Sequence, residues 1–378
     1  MPRIAGIDLY SVAYPFHGSF KFFTSAPGLP PGRRTVVVRL RADDGSDGWG
    51  QAVPSPRWSY ETPETVRSTL ERYLAPALLG VDVDDAPENH SRLHRAIAPS
   101  FSVGQPIAKA ALDLALWDLR GKLRKQSVTR MWRGVDAVRP VVLSWTLNPT
   151  TLDDVPPAVD EARRRGYRHF NVKVAPNLEF DLAVLRAVRE LAPDAFLWVD
   201  ANGGYDLASA LAAAPAFAEL GVAALEQPLP ANALDDYRVL RRRRDLPILL
   251  DESIVSTADF DTFHKLELLD GVAMKVARMG GLTEACRLVD RLRDTGLLFF
   301  ASGLTDPDLS LAASLQLFSG GDLRFPAALN GPQFLHGSVL TSPLTPQGDL
   351  LAPPPGPGLG VEVDPAALIA LSEDRDRE

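Results

Sequence analysis

From about Val138 onward the chain repeats one pattern, a short apolar run followed by a stretch with apolar residues at helical spacing. The runs are VVLSW, HFNVKV, AFLWVD, VAALEQP, PILLDES, GVAMKV and LLFFAS, seven in all. Apolar strands alternating with amphipathic helices predict parallel βα units buried on both faces, and this many in succession predict a closed barrel over an open sheet. The earlier part of the chain is patterned differently. TVVVRLRADDGSDGWGQAV sets two alternating segments on either side of a Gly/Asp turn, which predicts a small sheet. Helical patterns follow, the clearest from Ile107 to Leu123 with Gly121 near its end. The first region is therefore α+β and the second α/β. The tail, with Pro353 to Pro355 and then GPGLGVEVD, breaks the barrel rhythm and is expected to pack back across the first region.

Polar residues stand at the ends of successive runs: Lys173, Asp200, Glu226, Asp251 and Lys275, at intervals of 27, 26, 25 and 24. Each interval is about one βα unit, so the five occupy matching places on successive strands, at the carboxyl ends where barrel enzymes build their sites. Any one of the acids could simply cap the next helix. Three carboxylates on three adjacent strands would repel one another in a half-buried mouth, and a cation resolves the conflict. Oxygen-only ligands point to a hard ion, and three carboxylates with positions left for water or substrate suit Mg²⁺ better than Zn²⁺. Lysines on the strands before and after this cage would lie on opposite sides of a bound ligand, as two proton-transfer groups. An ammonium of pKa about 10.4 is a poor base at neutral pH until a nearby cation or desolvation lowers it.

Composition narrows the partners. The chain has 378 residues, enough for a large domain plus a smaller one, and its 46% hydrophobic and 23% charged content is that of a folded globular protein. A formal charge of −8 gives no electrostatic reason for a nucleic-acid partner. The basic run Arg241 to Arg244 reads as a solvated helix end. Cys286 is the only cysteine, so no intrachain disulfide can form. The start lacks the apolar run of a signal peptide and no stretch is long enough to span a membrane, so a cytoplasmic location is the expectation.

These residues resemble the enolase superfamily and, within it, the muconate lactonizing enzyme group. The resemblance rests on AKAALDLALWDLRGK, VDANGGY, LEQP, LDES, MKVARMGGLTEA and GPGLGVEVD, and it spans nearly the whole chain. It implies an α+β capping domain over residues 1–130, a modified (β/α)7β barrel over 131–345 and a C-terminal segment, 346–378, returning to the cap. It further implies Mg²⁺ on Asp200, Glu226 and Asp251, with Lys173 and Lys275 as an acid/base pair that acts on a small carboxylate substrate through an enediolate. A homo-oligomer is the expected assembly. The group's second-strand motif is Lys-x-Lys, whereas this chain reads Asn171-Val172-Lys173. Asn171 removes one positive neighbour from Lys173, yet it can still donate a hydrogen bond to a carboxylate.

Asn202 falls where the group places a polar residue near the metal, or serves the turn in NGG. Glu252 could replace Asp251 as the ligand or support Lys275 from behind, and the second role is the expectation. The seventh strand, LLFFASG, lacks the histidine base of mandelate racemases, and Ala328-Leu329-Asn330 lacks the Asp-x-Asp of dipeptide epimerases. Cap loops from Phe16 to Thr24 and from Pro54 to Tyr60 are expected to close the mouth, with Phe22, Phe23, Trp58 and Tyr60 as an aromatic enclosure. Thr305-Asp306-Pro307-Asp308 reads as an N-cap, a proline at the first helical position and an acidic first turn. The function expected is a racemase or epimerase, or a dehydratase, of an amino-acid-type acid, a proline-like one among the candidates. Cycloisomerisation and a barrel that binds metal without catalysis are the alternatives.

Overall fold

The computed structural model describes residues 2–18, 20–22, 32–99, 103–136 and 139–373. Strands β1 (Ile4–Pro15), β2 (Gly32–Ala42) and β3 (Asp47–Ala52) form an antiparallel sheet in that order. The Gly/Asp turn does join β2 to β3, with Gly45 at φ 87° and Ser46 accepting at its backbone oxygen from Ala42 N, 2.9 Å away. The helix Pro106–Arg124 lies across this sheet. It comes so close because β3 carries glycines there: a Cβ on Gly50 would meet the Ala111 carbonyl oxygen at 2.0 Å. The start of this helix is capped from outside, since the Glu61 carboxylate accepts from Ile107 N at 2.8 Å and Ala108 N at 2.9 Å.

The remaining strands are β4 (Val141–Val142), β5 (Trp145–Leu147), β6 (Phe170–Lys173), β7 (Leu197–Asp200), β8 (Leu225–Glu226), β9 (Ile248–Leu250), β10 (Gly271–Met274), β11 (Leu298–Ala301) and β12 (Leu350–Leu351). Strands β5 to β11 form one parallel sheet in chain order. Residues 327–328 join its two edges, through bridges from Ala327 to Leu143 and from Ala328 to Ser302, so the sheet closes on itself. This is the expected α/β architecture, a barrel with an α+β cap. One detail differs. The first run, VVLSW, is divided: Val141 and Val142 pair antiparallel with β12, and the barrel strand begins only at Trp145. The apolar pattern could not separate the two because both partners bury it.

Alternation along the strands builds the barrel. Val172, Val199, Leu225, Leu250 and Val272 face outward into the core shared with the helices. Trp198, Ala224, Leu249, Ala273, Phe300 and Ala328 form a separate inner cluster that floors the mouth. Two residues farther along each strand stand the mouth residues, among them Asp200, Glu226, Asp251, Lys275, Ser302 and Asn330. The tail crosses to the cap: Leu359 N donates to Asp118 of the cap helix at 2.8 Å, and Glu373 N donates to Ser11 O at 2.8 Å. Among the described residues no helix is long and apolar enough to cross a membrane.

Candidate active site

Asp200, Glu226 and Asp251 are brought together at the mouth, each at most 1% exposed, with one oxygen from each within 4.8 Å of the others. The parallel register does this directly, pairing Lys173 with Asp200 and Asp200 with Glu226. The Glu226 Oε1 oxygen is buried without a hydrogen-bond partner, and Asp251 Oδ1 meets the Arg278 guanidinium. An unpaired buried acceptor on an all-oxygen triad is what a hard divalent cation satisfies. Glu226 Oε2 accepts from Trp198 Nε1 at 3.0 Å, so the barrel floor orients this carboxylate. Burial, reinforced by the charge of Asp200, pushes Glu226 up to about 7. For Asp200 the nearby lysines outweigh its burial and hold its pKa below the usual range.

Both lysines reach the triad. Lys173 Nζ donates to Asp200 Oδ2 at 2.5 Å, and Lys275 Nζ contacts Asp251 Oδ2. Burial works against the charge on Lys173, yet Asp200 and Glu226 outweigh it and raise its pKa. In Lys275 burial prevails over Glu226 and Asp200 and lowers the pKa to about 8. Arg278, in the turn after β10, also contacts Asp251 and donates to Ala273 O at 2.9 Å. Asn202 sits at φ 46°, donates from Nδ2 to Asp200 at 3.2 Å and to Glu252 at 3.0 Å, and so serves both the turn and the acidic cluster. Asn171 is buried on β6 at the mouth, and its Nδ2 has no partner.

Several expectations change. Glu252 makes no ion pair with Lys275 among the described residues. Its Oε1 instead joins Asn202 to Trp58, whose Nε1 donates to it at 2.7 Å. Trp58 does border the mouth, its ring 4.7 Å from Lys275 Nζ, but Tyr60 is 58% exposed and outside the enclosure. Ser55 O accepts from both Trp58 N and Ser59 N, and beyond this turn Tyr60 points outward. Phe22 lines the cavity beside Phe20, while Phe23 lies outside the described residues. Pro307 occupies the N-cap of the helix Asp308–Gly320, not its first turn, and Asp306 accepts from Ser310 Oγ at 2.9 Å.

Four further residues contribute, of which Phe20 and Lys21 lie in the cap loop expected to close the mouth and Arg33 and Trp198 were not anticipated. Phe20 packs its ring 5.8 Å from Lys173 Nζ, and Lys21, lowered to about 8 by burial and by Lys173, lies in the same field. Arg33 of β2 lines the mouth, and Trp198 supports Glu226. Of the two outside that loop, Trp198 alone carried a signal, its place two residues before Asp200 on the same strand face.

The family model for the mandelate racemase / muconate lactonizing enzyme N-terminal domain matches residues 26–132, and the enolase C-terminal domain-like model matches 156–367. An o-succinylbenzoate synthase of Geobacillus stearothermophilus is 30% identical over 90% of this chain and 89% of its own. An N-succinyl-L-Arg/Lys racemase of Bacillus cereus is 27% identical over 99% of both. The crystal structure of 2-chloromuconate cycloisomerase from Rhodococcus opacus 1CP superposes with a TM-score of 0.89 at 26% identity, covering 99% of this chain and 100% of that one. Closed barrel, cap, buried acidic triad and flanking lysines thus meet a match along nearly the whole length, and the chain is an enzyme of the enolase superfamily, belonging to its muconate lactonizing enzyme-like family.

Proposed function

We propose that this enzyme moves the α-proton of a small amino-acid-type carboxylate, as a racemase or epimerase, with Mg²⁺ held by Asp200, Glu226 and Asp251. The observation that carries the reading is the placement of Lys173 on β6 and Lys275 after β10, on either side of the three carboxylate strands. Two lysines lining one cavity, one as the neutral amine and the other as the ammonium, suit proton removal from one face and delivery to the other. When bound, Mg²⁺ supplies the positive charge that holds the substrate carboxylate and offsets the charge left as the α-proton departs.

The chain's own residues do the rest. One lysine takes the proton as the neutral amine while the other delivers one as the ammonium, and the roles reverse for the opposite enantiomer. Trp198 holds Glu226 in orientation from below, and Asn202 fixes Asp200 from beside it. Phe20, Phe22 and Trp58 cover the cavity and limit water around the lysines. The relatives named as racemases fit this reading. Asn171 in place of a lysine leaves it intact, because Lys21 brings another positive charge near Lys173.

Exchange of α-protons in heavy water tests it without knowledge of the natural substrate. With Mg²⁺ and a panel of free, cyclic and N-acylated amino acids, the wild type should wash deuterium into both enantiomers of a compound that fits. Lys173→Ala and Lys275→Ala should each stop racemisation by at least about a hundredfold while retaining exchange of one enantiomer. Unchanged exchange in the double variant would overturn the two-lysine reading.

A further inference from the structure

Arg33 is a buried cation with an unfilled donor at the mouth. It is 6% exposed, and it lines the same cavity as Lys173 and Lys275. Its Nη2 donates to Leu304 O at 2.5 Å and, more weakly, to Val53 O at 3.4 Å. Its Nε is buried without any partner. Burial lowers its pKa only to about 10, so the guanidinium stays charged at neutral pH, and Asp306 favours that charge without forming an ion pair among the described residues. Asp306 is engaged elsewhere, by Ser310 Oγ and Leu304 N.

A latch between cap and barrel accounts for the two carbonyl bonds, but a neutral amide could make those. It does not account for a buried charge at the cavity wall, nor for a donor left without a partner. The position around the ring supplies the missing part. The carboxylates occupy β7, β8 and the end of β9, whereas Arg33 meets the loop after β11 on another part of the rim. Asn171 on β6 adds a second unpartnered donor, its Nδ2. A ligand whose reacting carboxylate sits on the triad turns its remaining length toward these donors.

We infer that Arg33 is a specificity-determining residue that receives a second carboxylate at the far end of the substrate. The inference rests on the reading that the acidic triad holds the reacting carboxylate. The arginine fork matches a carboxylate, and a charge-assisted bond in a site with little water discriminates strongly between an acid and its amide.

The test compares acids with their terminal amides, by calorimetry on the full chain in Mg²⁺. One arm uses N-succinylglycine against N-succinamoylglycine, for an acylamino acid. The other uses succinate, glutarate, adipate and pimelate against their monoamides, for a plain diacid. In one arm or the other the acid should bind about ten- to hundredfold more tightly than its amide. Arg33→Gln, which keeps a donor for the Leu304 carbonyl, should remove that preference and leave Mg²⁺ affinity unchanged. Thermal melting of the variant checks that it is folded. No preference in either arm overturns the inference, and a preference that survives in Arg33→Gln overturns it by assigning the effect to another cation. The proton-transfer reading fails separately, when no compound exchanges its α-proton.

Discussion

The barrel rim and the cap loops meet at one cavity but place their side chains by different means. On the rim, sheet register pairs Lys173 with Asp200 and Asp200 with Glu226, over a floor that includes Trp198, Leu249 and Phe300. Moving one of these groups would require moving a strand. The cap contributes Phe20, Lys21 and Trp58 from segments outside any strand ladder, held by isolated contacts such as the Trp58 to Glu252 hydrogen bond. Rigid placement suits groups that must act on one proton, whereas loosely tied segments suit groups that sort substrates and open to release them.

If that division is right, the largest effect lies on the rim. Glu226→Gln keeps the volume and the Trp198 contact but removes one charge of the triad. Mg²⁺ affinity measured by calorimetry should fall steeply, and kcat should fall by about a thousandfold or more, the several kcal/mol a metal contributes at a developing charge. Undiminished metal affinity in this variant would remove Glu226 from the ligand set. A cap substitution should do much less. Trp58→Phe keeps an aromatic ring but shrinks it beside Lys275 and deletes the Nε1 donor to Glu252, which keeps Asn202 as a partner. The expected cost is about three- to tenfold in kcat/KM with metal affinity unchanged. A loss as large as that of Glu226→Gln would erase the distinction between rim and cap.

The same division explains what could be read from the chain. Strand residues carry a period: intervals of 24 to 27 mark the rim positions from Lys173 to Lys275, and steps of two along a strand pair Trp198 with Asp200. Loop residues carry none. Trp58 and Tyr60 look equivalent in sequence, but the turn accepting at Ser55 O directs one to the mouth and the other to solvent. Arg33 and Arg34 are adjacent arginines on β2, and alternation says only that they face opposite ways. Which one turns inward depends on the barrel loop at Leu304, 271 residues away, while Arg34 pairs with Glu373 of the tail at 2.9 Å. Glu252 misled for a related reason: its partner is set by the cap tryptophan that folds over it, not by its neighbour Asp251.

The smallest expected effect concerns the outer junction, where the cap helix Ala86–Ala96 meets the barrel helix Leu282–Arg293. His90 Nε2 lies 3.3 Å from Glu284 Oε1 and 2.8 Å from His94 Nε2. Lys109 Nζ donates to Ile97 O at 2.7 Å and Val103 O at 3.1 Å, and its third proton faces His94 Nδ1 at 3.2 Å. His94 is thereby kept neutral. Burial, then the charges of Lys109 and His90, lower its pKa from 6.5 to about 4. A depressed folded-state pKa gives stability that is fully present above 6.5 and is lost as pH falls through 4, because the unfolded chain binds the proton first. Glu284, lowered to about 2 chiefly by its bond from His90, acts in a separate window, between 4.5 and 2. His94 is partly exposed, so solvent screening reduces its contribution to about 1 kcal/mol, or about 2 °C in Tm. His94→Gln keeps an acceptor for Lys109 and cannot titrate. Between pH 6.5 and 4 its Tm should therefore fall less than that of the wild type, while the two should fall together below pH 4. Parallel loss across the upper window would show that the cap is not anchored through a neutral His94.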